Sequence, residues 1–343
     1  MNFLYILLTL FVISVLALLH ELGHYLTART FGVGIKEFAV GMGPKVISRA
    51  SKKTGIVYSL RLFPIGGFVS MVGEDEDSDA DNALNKKPVW QRMIITVAGS
   101  LMNIITGVVL MAVVVSMSPG LGGTTVAKFD EGATSVSSGL SLGDEIVRVD
   151  GTRVHVAAEL SYEIMHSGDK PIDLVVRRDG ELVTLEDVVF STVTAEGVVF
   201  GMPDFFVARE DKNVGNIIKH SFYRSISTVK MIWESLIDLI TGRYGFEAVS
   251  GPVGVAGAVS DAAKSGLSDF LYLVVVIAMN LGVFNLLPFP ALDGGRLFFQ
   301  LIELIRRKPI KPEFEGYVHF AGIVLLLLLM VVVTLKDIIK LFA

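Results

Sequence analysis

Four stretches of the chain run for about twenty positions with almost no polar residue. The first opens the sequence ("MNFLYILLTLFVISVLALL"). The others fall at roughly 93–117, 269–287 and 317–335. Each is near the ~20 residues that a helix needs to cross the hydrocarbon core of a bilayer. The pattern predicts a multi-pass α-helical membrane protein with four transmembrane helices. With their flanks these cover 1–30, 93–117, 269–295 and 317–340, and a long polar insertion separates the second from the third.

The connections have patterns of their own. Between the first two spans, 31–92 holds "FGVGIKEFAVGMGPKV" and "GIVYSLRLFPIGGFVSMVG". Their alternation and Gly pairs predict short strands and turns, apolar enough to lie against or dip into the membrane. "GEDEDSDADN" (73–82) is a solvated acidic loop. Residues 121–200 predict a small α/β domain: "TTVAKF", "DEIVRV", "IDLVVRR" and "LVTLEDVVF" have strand character, and "VHVAAELSYEIMH" is helical. In 214–241, His220, Arg224, Ser227, Lys230, Glu234 and Asp238 recur every three or four residues. That spacing predicts an amphipathic helix with one polar stripe, lying at the membrane interface rather than spanning it.

Composition agrees with the membrane class. Of 343 residues, 52% are hydrophobic and 19% charged, with a mean hydropathy of +0.60. Cysteine is absent, so disulfides and thiolate metal sites are excluded. A net charge of -5 gives no reason to expect nucleic acid as a partner. No Lys or Arg precedes the first apolar run and no small-residue cleavage pattern follows it, so it is expected to be a retained helix rather than a signal peptide.

Charge also orients the spans. Segment 29–92 holds ten Lys or Arg, "RRKPIKP" (306–312) is basic, and 120–270 carries 22 Asp or Glu against 13 Lys or Arg. The positive-inside rule places the first and third connections in the cytoplasm, and the termini and the large insertion outside.

Against this background "LALLHELGHYLTA" is out of place. His20, Glu21 and His24 interrupt an apolar span. Histidines at i and i+4 share one helical face, where both can reach one metal ion. Two imidazoles and a carboxylate favour zinc, which lowers the pKa of a bound water to about 7, and Glu21 can accept its proton. Ionisable residues at the bilayer centre cost roughly 2.5–3.5 kcal/mol each on insertion scales, which argues against a mere packing role. A third ligand is required. The acidic candidates beside the spans are Asp293 and Asp269. Asp269 suits a helix N-terminus. Asp293 follows a stretch broken by Pro288 and Pro290 and precedes Gly294 and Gly295, a setting that suits a ligand.

"HELGH" in a first span together with "NLLPFPALDGG" after a third resembles the site-2 protease family of intramembrane zinc proteases. The similarity is greatest to its bacterial regulator-of-sigma-E-protease branch, and "FAVGMGPKV", "PIGGFVSM", "KPVWQRMIITVAG", "SGPVGVAGA" and "FQLIELIRRKP" extend it over nearly the whole chain. The resemblance implies an intramembrane endopeptidase with one Zn²⁺, held by His20, His24 and Asp293, with Glu21 as catalytic base. It implies that the substrates are single-span membrane proteins, such as anti-sigma factors or remnant signal peptides. Gly66, Gly67, Phe68 and Val69 match a membrane-associated β-element that pairs with substrate. Asn285 matches a residue that handles unwound substrate, and Asn103 a polar residue of the second span near the site. The 121–200 insertion, with "GLSLGDEIVRVDGTRV" before its helix, resembles a PDZ domain, a module that takes peptides as an added strand. Where this branch often has Pro after the second-span Gly, Gly99 is followed here by Ser100. The rival classes are a non-hydrolytic PDZ-bearing membrane receptor or chaperone, expected to have lost one of the four catalytic positions, and a metal-gated transporter, expected to show an inverted repeat.

Overall fold

The computed structural model describes residues 3–74, 76, 78–195 and 197–342. Met1 and Asn2 of the first span, and Asp75 and Asp77 of the acidic loop, lie outside the described residues. In chain order the elements are α1 (Phe3–Thr30), β1 (Ile35–Ala50), β2 (Val57–Met71), α2 (Val89–Met117), β3 (Leu121–Phe129), β4 (Glu145–Val149), β5 (Thr152–Arg153), α3 (Ala157–Ser167), β6 (Ile172–Arg178), β7 (Glu181–Val188), β8 (Ser191–Ala195), β9 (Val198–Met202), β10 (Phe205–Glu210), α4 (Val214–Thr241), α5 (Pro252–Ser265), α6 (Leu267–Asn285), α7 (Asp293–Arg306) and α8 (Pro312–Phe342). They form two compact units, 1–107 with 249–343, and 108–248.

Four helices are long and apolar enough to cross a membrane: Leu4–Thr30, Val89–Met117, Leu267–Asn285 and Glu313–Lys340. The second starts four residues earlier than the apolar pattern suggests, because Val89–Arg92 continue the helix although Gln91 and Arg92 are polar. In the first unit, α1 and α2 approach closely. A Cβ at Gly23 would lie 2.3 Å from the Ala98 carbonyl oxygen. On the α6 side, one at Gly282 would lie 3.0 Å from the Ser100 carbonyl. Small residues at such crossings let backbones pack where no hydrophobic force between helices exists.

The first connection differs from the expected short strands and turns. It is a two-stranded antiparallel sheet of 16 and 15 residues whose strands bend and pair more than once. Residues 37–40 register with 67–70 and also with 57–60, and 57–60 registers in turn with 47–50. Residues 67–71 therefore have sheet partners on one flank only. Val69 and Met71 are packed with Tyr25 and Ala28 of α1, Ile95 of α2, and Val33, Ile35 and Ile56, which fixes this edge against the helices. Glu37 ties the sheet together. Burial alone would raise its carboxyl, but bonds from Ser59, Lys45 and Arg61 bring it down to about 2.

Two helices in this unit were not foreseen. After α6 ends at Asn285, the chain turns through Pro288 and Pro290 and re-enters helix at Asp293, the first residue of α7. A Cβ at Gly294 would lie 2.1 Å from the Leu287 carbonyl, so the turn closes only with glycine there. The other is α5. Asp337 of α8 is buried and accepts the backbone N–H groups of Gly251 and Gly254, each at 2.8 Å. It caps the α5 N-terminus from another helix.

In the second unit, an antiparallel sheet runs β10-β3-β4-β6-β7, with β5 on β4 and a separate β8–β9 hairpin. The domain does not stop at 200. β10 pairs along β3 from Phe205↔Phe129 to Glu210↔Leu121, and Phe205 belongs to the core with Val126, Ile146, Leu160, Ile164 and Val176. In α4 the polar stripe faces inward. His220, Ser225, Thr228 and Asp238 are buried, Glu234 accepts from Tyr162 of α3 at 2.6 Å, and Lys230 pairs with Glu163. Val214, Ile218, Phe222, Ile226, Trp233, Ile237 and Ile240 are exposed instead. The polar partners that α3 offers explain the inversion.

Asp144, 1% exposed, accepts both Nε and Nη2 of Arg178 at 2.7 Å and the Ser141 N–H at 2.9 Å. Burial opposes its charge, but these donors hold the carboxyl below its usual 3.8. The contribution to stability is therefore complete above about pH 4 and fades as pH falls below the unfolded value. Asp144→Asn should destabilise this unit by about 1–3 kcal/mol at pH 7. Hydrogen exchange of β4 and β6 amides should show the loss, and the gap to wild type should narrow below pH 4.

Candidate metal centre

One turn of α1 carries His20, Glu21 and His24, and the α7 N-terminus delivers Asp293. The His20 and His24 Nε2 atoms are 3.1 Å apart. Asp293 Oδ2 lies 3.0 Å from the first and 3.4 Å from the second, and it is buried without an aligned hydrogen bond. Among the described residues this is the one His/Asp/Glu group whose ligand atoms converge for a metal ion. A tetrahedral zinc with ligand bonds of about 2.0–2.1 Å separates its ligand atoms by about 3.3 Å. The triangle fits.

The neighbouring helix face supports the same reading. Ile95, Gly99 and Asn103 recur every four residues along α2, on the side that meets the two imidazoles. His24 Nδ1 donates to the Ile95 carbonyl at 2.8 Å, which leaves its Nε2 lone pair free. Asn103 lies 3.4 Å from His20 Nδ1. Between them, a Cβ at Gly99 would sit 2.3 Å from His24 Nε2 and 2.7 Å from His20 Nε2, in the space that a ligand ion needs. Ser100, which stands where proline was expected, is buried inside a continuous α2, so the helix is not deformed there.

Glu21 has a separate tether. Its Oε2 accepts the Val69 backbone N–H at 3.0 Å, which links the carboxylate to the free flank of β2. His20, Glu21, His24, Phe68, Val69 and Asp293 all line one cavity of about 660 Å³. The cavity continues into a charged region with ion pairs Arg92–Glu303 and Arg296–Glu74, both at 2.6 Å. Gly66, Gly67, Asn285 and Asn103 are not on its wall. Gly66 takes φ 73°, Gly67 packs on the Ala39 carbonyl, Asn285 is half-buried at the end of α6, and Asn103 is buried. Asp269 sits in the first turn of α6, outside the cluster. The tether through Val69, the Ile95 acceptor and the Gly99 cradle escaped the sequence reading. Only a glycine four residues before an asparagine in an apolar helix hinted at the last of these.

The sequence matches peptidase family M50 over residues 8–329. The chain belongs to that family, the site-2 proteases. A protein of Clostridium perfringens, provisionally named as a zinc metalloprotease, is 34% identical over 98% of each chain. The regulator of sigma-W protease RasP of Bacillus subtilis is 29% identical over 96% of this chain and 97% of its own. The zinc metalloprotease RasP of Geobacillus kaustophilus is 30% identical over the same shares. This M50 protein is thus a zinc metalloprotease of a bacterial membrane, and the receptor reading gives way.

Gly99→Ala tests the cradle. The added methyl would press on both Nε2 atoms, so the purified variant should lose most of its zinc while keeping its helical content. Elemental analysis and circular dichroism measure the two.

Proposed function

We propose that this protease cleaves the transmembrane segments of single-span proteins inside the bilayer, with His20, His24 and Asp293 as zinc ligands and Glu21 as general base. The observation that carries the proposal is the convergence of three ligand atoms within 3.0–3.4 Å in a cavity that a spanning helix also lines with the glutamate. Bound there, zinc would polarise the scissile carbonyl and acidify a water. Glu21 takes the proton from the attacking water and can pass it to the leaving amine. The Val69 N–H holds the carboxylate in place during that exchange.

A helical substrate hides its carbonyls in its own hydrogen bonds and must be unwound before attack. Residues 67–69 lie in a strand with no sheet partner on the flank beside Glu21, where only the Val69 N–H is taken by that carboxylate, which supports pairing of 66–69 with the extended substrate. Asn285, where α6 ends, is the proposed partner for the unwound segment on the other side. Substrates of the anti-sigma-factor class suit the relative named for sigma-W regulation, and remnant signal peptides present the same single span.

The 121–200 domain, extended by β10, is proposed as a PDZ-like module outside the membrane that restricts which proteins reach the site. Its antiparallel sheet and single packed helix support that reading, as does the acidic balance of 120–270. The exposed apolar face of α4, with Trp233 and Phe222, suits burial among lipid headgroups, while its polar residues are satisfied within the protein.

Glu21→Gln should keep zinc, because the amide oxygen can still accept the Val69 N–H. It should lose ~10²–10⁴-fold in cleavage of a reconstituted single-span substrate. Asp293→Ala should lose both zinc and activity, whereas Asp269→Ala should keep both. Full zinc content in Asp293→Ala would move the third ligand elsewhere.

Topology is read with reporters. A fusion near Gly120 should give an external signal, and one within 306–312 a cytoplasmic signal. A cytoplasmic signal near Gly120 would invert the orientation and remove the gatekeeper.

A further inference from the structure

Asn103 is set back from the cavity. It is 1% exposed and off the cavity wall, yet one end of its amide faces His20 Nδ1. Nδ2 stands 3.4 Å from that nitrogen, while Oδ1 is buried with no partner. A half-turn about the terminal torsion exchanges the two ends. With Nδ2 toward His20, the amide donates to Nδ1, and the neutral imidazole must carry its proton on Nε2. That tautomer has no lone pair to offer where Asp293 Oδ2 and His24 Nε2 converge. With Oδ1 toward His20, the ring donates Nδ1–H, and Nε2 is free to ligate. Either way the pair makes one hydrogen bond, so pairing alone does not choose. The ligand role does.

We infer that Asn103 is a positioning residue: its amide oxygen accepts Nδ1–H of His20, as the Ile95 carbonyl does for His24, and so fixes the metal-binding tautomer of both histidines from one face of α2. The two acceptors differ in kind. Ile95 offers a main-chain carbonyl that no substitution removes, whereas Asn103 offers a side chain. The His20 side of the site is therefore the one open to mutation. The spacing explains the pattern: positions 95, 99 and 103 stack on one helix face, with an acceptor, a gap for the ion and a second acceptor in order. Partners of this kind orient ligand histidines in metal sites generally, and their loss typically weakens metal binding 10–100-fold. This inference rests on the ligand assignment proposed above.

The test is zinc affinity of the full-length protein in detergent, measured by competition with a chelator. Asn103→Leu, similar in size but without an acceptor, should bind zinc 10–100-fold more weakly. Asn103→Asp, which can only accept, should restore affinity close to wild type. Equal weakness in both variants would mean that the NH₂ end matters, and would overturn the inference, as would wild-type affinity in Asn103→Leu. Spectra of the zinc-loaded wild type with ¹⁵N-labelled histidine need no variant. They should show Nδ1 of His20 protonated, and an unprotonated Nδ1 refutes the inference even if both variants fail to fold. Asp293→Ala separates the two levels. If it retains zinc, the ligand assignment itself fails. If it loses zinc while Asn103→Leu binds normally, only the role of Asn103 falls.

Discussion

The close approach of α1 and α2 governs the geometry of this protein. Gly23 lets the Ala98 carbonyl come within contact, and Gly99 leaves the space in front of both imidazoles empty. A methyl group at either position would push the helices apart or press on both imidazoles. Because lipid tails are as apolar as helix side chains, no hydrophobic force drives spanning helices together, and such a contact rests on dispersion and on polar bonds between the helices. Two polar contacts, between His24 and Ile95 and between Asn103 and His20, serve the histidines. One interface is thus a packing seam and the support of both imidazoles at once.

The remaining parts are held to that seam. The Asp293 carboxylate is fixed because α7 begins at it, after a turn that closes only where Gly294 meets the Leu287 carbonyl. The β2 edge is fixed by burial of Val69 and Met71 against Tyr25, Ala28 and Ile95. The Val69 amide then reaches Glu21. The strand, the Glu21 and histidine turn, and Asp293 come from separate stretches of chain, so the cluster exists only when the helices are packed.

The second unit applies the opposite polarity rule in α4. In water an amphipathic helix turns its apolar face to the core. Here the helix satisfies Lys230 and Glu234 on α3 and leaves Trp233, Ile237 and Ile240 outward. Its charges are paired within the protein and its apolar side chains are left outside.

By itself the sequence determined whatever depends on near neighbours and on composition. His20, Glu21 and His24 share a helical face because of their spacing, the four apolar runs are long enough to span, and Asp293 is marked by its Pro- and Gly-broken surroundings. It also carried the M50 signature. Tertiary structure alone decided the contacts between distant positions: Val69 to Glu21 across 48 residues, His24 to Ile95 across 71, and Asn103 to His20 across 83. It decided that Asp337 caps α5, that α7 begins at Asp293, that β10 pairs with β3, and that the polar stripe of α4 faces protein. The reason is physical. Helical and strand periodicity is written in adjacent side chains, whereas a hydrogen bond between helices depends on how closely two backbones pack, and a glycine signals the gap without naming what fills it.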